Sequence, residues 1–408
     1  MVTTAANNLQ ENGVRAVSSD RPIKIAIACS GLGHISRGIE TWAADMGTAL
    51  TRAGADATLF QGAGTPAQNW QVVIRCKRRF DRDVQAWAKR LARLGGWRYG
   101  CASGYQIEQS SFSRGLWPKI RREYDILHVQ DPWIAYVFER LHKLGLSKPQ
   151  VILAHGTEEG PEFLSKFTNL QHLAPCYLDD WGKHCPPTQR NFAVPNFVDI
   201  DTFRPGDQQV ARAAWQLPKD HIVVLCVAAI KKHHKRIDYL IQEFARFADQ
   251  TSGPATLVVA GGRETQTDEV IAMGREMLGD RVRFLEGVPR VKMPSLFQAA
   301  DIFTLASLHE MMPIALLEAL SSGLPVACND TPTLRWMAGP AGQLTDISKE
   351  GALADQLARL ASGDRLGVFS ANARAQAESQ FSEAVVIEQI RQMYREIVTG
   401  RAPAQKDN

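Results

Sequence analysis

Two glutamates in the stretch LASLHEMMPIALLEALSSGLPVACND (residues 305–330) are the first candidates for chemistry, Glu310 and Glu318. A carboxylate is a poor partner for phosphate, but it accepts hydrogen bonds from sugar hydroxyls. Cations crowd AIKKHHKR (229–236), where Lys231, Lys232 and Lys235 can face an anion. Gly31 and Gly33 in SGLGH (30–34) leave room for backbone amides to approach a phosphate. His155 opens HGTEE (155–159). Each feature also has a plainer reading. The glutamates fit a solvated side chain and a helix-dipole partner. Gly-x-Gly fits a tight turn, without the third glycine and downstream acid of a dinucleotide fingerprint. A lone histidine is more often structural. Neither His233–His234 nor the spacing of Asp199 and Asp201 comes with the further oxygen ligands of a hard-metal site.

Elements must hold these groups. Apolar residues 302–305 predict a short buried strand. Pro313 suits the first helical position, Ala315, Leu316, Ala319 and Leu320 make the stripe, and Gly323 suits the left-handed stop. Residues 326–328 then form the next strand. Glu310 falls on the turn and Glu318 on the helix. The amides around Ile314 to Leu316 would be unpaired, which makes an anion site. Further strands are predicted at 23–29, 57–60, 124–130, 151–154, 222–228, 256–260 and 282–285. Helices are predicted at 38–52, 237–248, 349–361, 367–378 and 382–398. This alternation implies parallel sheets covered on both faces, with ligands at the C-terminal ends of the strands.

Glu310, seven residues, Glu318 and then ALSSGLPV resemble the nucleotide-sugar site of retaining GT-B glycosyltransferases, specifically glycosyltransferase family four. The resemblance implies an α/β GT-B fold, two doubly wound parallel-sheet domains facing across a cleft. It implies an acceptor-binding domain over 21–192 completed by a crossover helix at 383–400, and a nucleotide-sugar domain over 193–382. In this family the second glutamate binds ribose and the first faces the donor sugar, so those roles fall to Glu318 and Glu310. Lys235 matches the lysine of the phosphate loop. The family's arginine is absent there, and Lys231 or Lys232 stands in for it. His155 matches the cleft histidine, Gly31 and Gly33 the first glycine loop, and Val288 the loop that holds the base. Met312, Pro313, Ile314 and Ala315 occupy the donor loop, although the family usually has glycine, an aromatic and glycine where this chain has Met311, Met312 and Pro313. The implied reaction is transfer of a sugar from a UDP- or GDP-linked donor to an acceptor hydroxyl, with retention and with neither metal nor other cofactor. A GT-B fold also hosts nucleotide-sugar epimerases and non-catalytic binding scaffolds.

Composition fits this class. The 408 residues are 45% hydrophobic and 22% charged, enough for two well-filled cores, and a net charge of +4 does not call for a nucleic-acid partner. Seven scattered cysteines fit reduced thiols in the cytoplasm. Residues 1–20 and 401–408 read as polar tails. No apolar run approaches a membrane span. Residues 75–98 are unusual, with nine basic residues against two acidic ones. Phe80, Val84, Trp87, Leu91 and Leu94 recur at helical spacing, with Lys77, Arg78, Arg79, Lys89, Arg90 and Arg93 around them. The pattern suits a helix docked on its own domain. It also suits one lying on an anionic membrane at the inner face, or on a polyanionic glycan, near a carbohydrate or lipid-linked acceptor.

Overall fold

The computed structural model describes residues 21–400 apart from 36, 157, 158, 363 and 364. The tails expected at 1–20 and 401–408 lie outside those residues. The first sheet holds β1 (Lys24–Cys29), β2 (Asp56–Gln61), β3 (Gln71–Val73), β4 (Ile126–Val129), β5 (Gln150–His155), β6 (Asn169–His172) and β7 (Arg190–Ala193). Their order is β3-β2-β1-β4-β5-β6-β7, and every pairing is parallel. The second sheet holds β8 (Ile222–Val227), β9 (Ala255–Gly261), β10 (Val282–Glu286), β11 (Ile302–Thr304) and β12 (Val326–Ala327). Its order is β10-β9-β8-β11-β12, again all parallel. These are the two doubly wound sheets that the alternation implied. In each, strand order reverses beside the first strand, between β1 and β4 and between β8 and β11. A crevice opens at such a switch point, and the loops that leave these strands line it.

Strands β3, β6 and β7 carry no apolar run that would announce them. β6 reads NLQH, yet all four residues are buried. Its polar side chains find partners inside the sheet, with the Asn169 amide donating to the Val151 carbonyl at 3.0 Å and that of Gln171 to Val194 at 2.8 Å. Buried polar groups are tolerated when they are bonded.

Helix α1 (Gly38–Arg52) buries Trp42, Ala43, Met46 and Leu50 against the first sheet. The final helix, Glu383–Thr399, joins that same core through Val386, Ile390, Met393 and Tyr394. The Tyr394 hydroxyl meets Nδ1 of His128 at 2.7 Å, and burial pushes that imidazole down to about 3, so it stays neutral. Before that helix the chain turns through a π-type segment, Ala377–Phe381, and Glu383 N–H donates to the Val198 carbonyl at 3.2 Å.

The segment 75–98 departs from expectation. Only Arg82–Ala92 is α-helical (α2), and it docks through Val84 and Ala88. Phe80, Trp87 and Leu94 are 64%, 66% and 74% exposed, so the apolar stripe is split between the core and solvent. Arg79, expected among the surface cations, is buried. Its guanidinium grips Glu108 of α3 (Gly104–Ile120) at 2.5 and 3.0 Å, and lies 4.2 Å over the Tyr105 ring.

Candidate active site

The loop after β8 carries Lys235. It turns sharply, with His234 at φ 66° and Arg236 at φ 49°, both left-handed and uncommon for side chains of this size. Arg236 fixes the turn from outside, donating to the carbonyls of Ala306 (3.3 Å) and Ile347 (3.1 Å) and stacking 3.8 Å over Tyr239. Strain of this kind persists only where surroundings hold it, and it delivers Lys235 into the cleft. There Lys235 Nζ meets Glu310 Oε1 at 2.5 Å.

Glu310 leaves β11 on a loop held by Tyr177 of the first domain and by Asn196 of the stretch just after β7. Tyr177 donates to the Glu310 carbonyl at 3.1 Å, and the Asn196 amide to that of Met312 at 3.4 Å. Met312 is buried and anchors the loop, so Met311 and Pro313 stand where the resemblance would have glycine. Pro313 caps the helix Ile314–Ser321 rather than starting it. The Leu316 amide is taken by the Pro313 carbonyl at 3.1 Å, one fewer spare donor than expected. The amides of Ile314 and Ala315 have no partner among the described residues.

Glu318 lies one turn further on, 2% exposed. Its carboxylate is paired with Arg290, which the sequence did not single out. Arg290 follows β10 and Pro289 on a short 3-10 turn, and its other nitrogen reaches Asp45 of α1 at 3.1 Å. One guanidinium therefore ties the helix of the second domain to the first. Burial pushes the Glu318 carboxyl up to about 7, against the pull of Arg290.

These groups share a cleft of about 780 Å³, whose wall includes Lys235, Val288, Arg290, Glu310, Glu318 and the 311–315 loop. Gly38, Ile39, Gln130 and Gly156 close it from the first domain. The cleft thus offers two carboxylates, three cations (Arg37, Lys235 and Arg290) and two spare amides, a set that suits a ligand with a diphosphate and several hydroxyls.

Not every expected residue reaches it. Lys232 pairs with Glu269, and neither Lys231 nor Lys232 lines the wall. All three lysines are half-buried, so direction and partner rather than burial divide the loop. Gly31 and Gly33 also lie off the wall, and packing explains them. A Cβ at Gly31 would stand 2.1 Å from Glu40 Oε1. One at Gly33, where φ is +96°, would stand 2.1 Å from the Ala63 carbonyl oxygen. His155 precedes the lining residue Gly156 but is itself buried, with its ring 6.1 Å from that of His172 and Nε2 3.8 Å from Glu159. Asp199 is occupied as a turn cap, accepting the amides of Asp201 and Thr202 at 3.0 Å each.

Residues 207–377 match the family model Glycosyl transferases group 1. The glycosyltransferase match therefore contains Lys235, Arg290, Glu310 and Glu318. A D-inositol 3-phosphate glycosyltransferase of Mycobacterium leprae is 32% identical over 206 residues, 48% of this chain and 46% of that protein. The chain spans less than half the length of the curated relatives it matches. Among solved structures, sucrose-phosphate synthase from Thermosynechococcus elongatus superposes with a TM-score of 0.74 at 19% identity, covering 93% of this chain and 100% of that one. Anabaena Alr3699/HepE in complex with UDP and glucose gives 0.69 at 15% identity, covering 91% and 99%. At these identities the likeness is one of fold, and the fold is GT-B.

Proposed function

We propose that the chain is a retaining glycosyltransferase that moves a hexosyl group from a nucleoside diphosphate sugar to an acceptor hydroxyl on a glycan, glycolipid or small molecule. The observation that carries this reading is the convergence of Lys235, Glu310, Arg290 and Glu318 on one cleft at the switch point of the second sheet. Glu318 accepts the ribose hydroxyls, and the backbone around Val288 sits beside the base. Ile314 and Ala315 N–H groups and Lys235 hold the diphosphate. As the glycosidic bond breaks, negative charge grows on the departing phosphate, and Lys235 with these amides stabilises it. Lys235 can supply that charge compensation, which supports a step without a metal. Glu310, released from Lys235, holds the donor sugar and faces the positive charge that develops at its ring. The fold neighbour solved with UDP and glucose favours a UDP-linked donor, with GDP as the alternative.

A thermal-shift panel of UDP, GDP, ADP and dTDP tests donor binding. The cognate nucleotide at about 100 times its Kd should add about 2.7 kcal/mol of stability. A flat response to all four would remove the nucleotide site. Turnover that needs an acceptor, rather than release of free nucleotide and altered sugar alone, separates transfer from epimerisation.

No helix among the described residues is long and apolar enough to cross a membrane. The outer face of α2 presents Trp87 and Arg90, with Leu94 just beyond its end. We read that face as a peripheral contact with anionic lipid, at the cytoplasmic side. Co-sedimentation at low salt with anionic but not neutral vesicles is expected, and its absence would return α2 to an ordinary surface helix.

A further inference from the structure

A second cavity, of about 830 Å³, lies in the first domain between α2 and the start of α3. Arg37 and Ile39 border both it and the donor cleft, so the two are neighbours. Its charges are separated. Deep in the wall, Arg79 is spent on Glu108, and Tyr105 on Asp131 Oδ1 at 2.6 Å. Glu40 is 3% exposed and lies 3.7 Å from Arg79, and its Oε2 has no hydrogen-bond partner. On the α2 side stand Lys89 and, just past the helix end, Arg93, four positions on and on the same face. Neither cation pairs with a carboxylate among the described residues. The walls therefore present one unanswered carboxylate oxygen, on Glu40 next in sequence to the shared Ile39, and two unanswered cations on the α2 side.

We propose that this cavity binds the acceptor as a hydroxyl-bearing compound with a phosphate, the phosphate held by Lys89 and Arg93 and a hydroxyl by Glu40. This rests on the transferase reading given above. Two lysine and arginine heads on one helical face clasp a phosphate by charge-assisted hydrogen bonds. The unpartnered Glu40 oxygen accepts a hydrogen bond from a hydroxyl and so turns that hydroxyl toward the shared border at Arg37 and Ile39. The phosphate can belong to a soluble sugar phosphate or to a lipid headgroup.

The test uses the full chain with its donor cleft filled by the nucleoside diphosphate found in the panel. Glucose 6-phosphate, inositol 1-phosphate and inorganic phosphate are titrated calorimetrically, with glucose and inositol as uncharged controls. Vesicles containing phosphatidylinositol are tested in parallel against vesicles of equal charge made with phosphatidylglycerol. Saturable binding of a sugar phosphate, weakened about tenfold or more in Lys89→Glu with Arg93→Glu, assigns the free phosphate. Loss confined to the inositol-lipid vesicles in the same variant assigns the headgroup. Both changes lie on exposed side chains, and unchanged nucleotide affinity shows the variant folded. Absence of saturable anion binding in both arms, or equal binding by the variant, overturns the proposal. Failure of the nucleotide to bind in the first step counts instead against the transferase reading, and the anion titrations are still read without it.

Discussion

Replacing Lys235 with alanine is expected to lower kcat by about 10²-fold or more, the scale on which one preorganised electrostatic donor acts. The structure says why the loss should fall on kcat more than on KM. In the proposed mechanism nucleotide affinity draws on Glu318 and the amides of Ile314 and Ala315 besides Lys235, so most of it remains. Lys235 is also the one cation assigned to the charge that grows as the sugar departs. Its present partner, Glu310 at 2.5 Å, holds it extended into the cleft before the donor arrives, and that ion pair is exchanged for the diphosphate when the donor binds. Steady-state rates with the cognate donor check this, alongside the same assay in EDTA. An alanine variant with unchanged kcat would take Lys235 out of the mechanism. Activity abolished by EDTA and restored by Mg²⁺ would hand its role to a metal.

The second large effect is a pH dependence of donor affinity that resides in Glu318. Its carboxyl, pushed up to about 7 by burial, must be ionised to accept two ribose hydroxyls well. The sign follows directly. Below about 7 the protonated form grows, so affinity for the nucleotide sugar should fall with pH toward the level of the neutral side chain, about tenfold or more below that at pH 8. A nucleotide sugar is the right probe, because its diphosphate has no titrating group near neutrality. Glu318→Gln should bind about tenfold or more weakly at pH 8 and show a flat profile. Arg290→Ala removes the cation that opposes burial, and its profile should move to higher pH. A wild-type profile as flat as that of Glu318→Gln would place the titrating group elsewhere.

Much of this site was readable because its parts are local. Strand, turn, Glu310, helix, Glu318 and Gly323 lie within one short run, and Gly323 does take the left-handed conformation, at φ 78°. Arg290 was not readable. It sits 28 positions before its carboxylate on a single 3-10 turn, and only the folded sheet brings the β10 loop over the helix. Asp45 is further still, on the other domain. The polar strand β6 escaped because hydropathy reports solvent transfer and not internal hydrogen bonds. In α2 the spacing was right but the face was not. Val84 and Ala88 alone seat the helix, and the larger apolar residues at its flanks face out. The division of roles among Lys231, Lys232 and Lys235 likewise needed the left-handed turns at His234 and Arg236.

The seating of Glu383–Thr399 in the first core has a consequence for biosynthesis. Tyr394, Ile390 and Met393 are fully buried there, yet they are synthesised only after the whole of the second sheet. Until they emerge, α1 and β1 present an uncovered apolar groove and His128 lacks its phenol, while the second domain is already complete enough to fold. Vectorial folding is thereby inverted, and the first domain waits on a helix that follows the second. A nascent chain stalled before Glu383 should be protease-sensitive in its first domain and protected in its second. Release through Thr399 should bring resistance to both, and equal early protection of both would show that the groove closes without its helix.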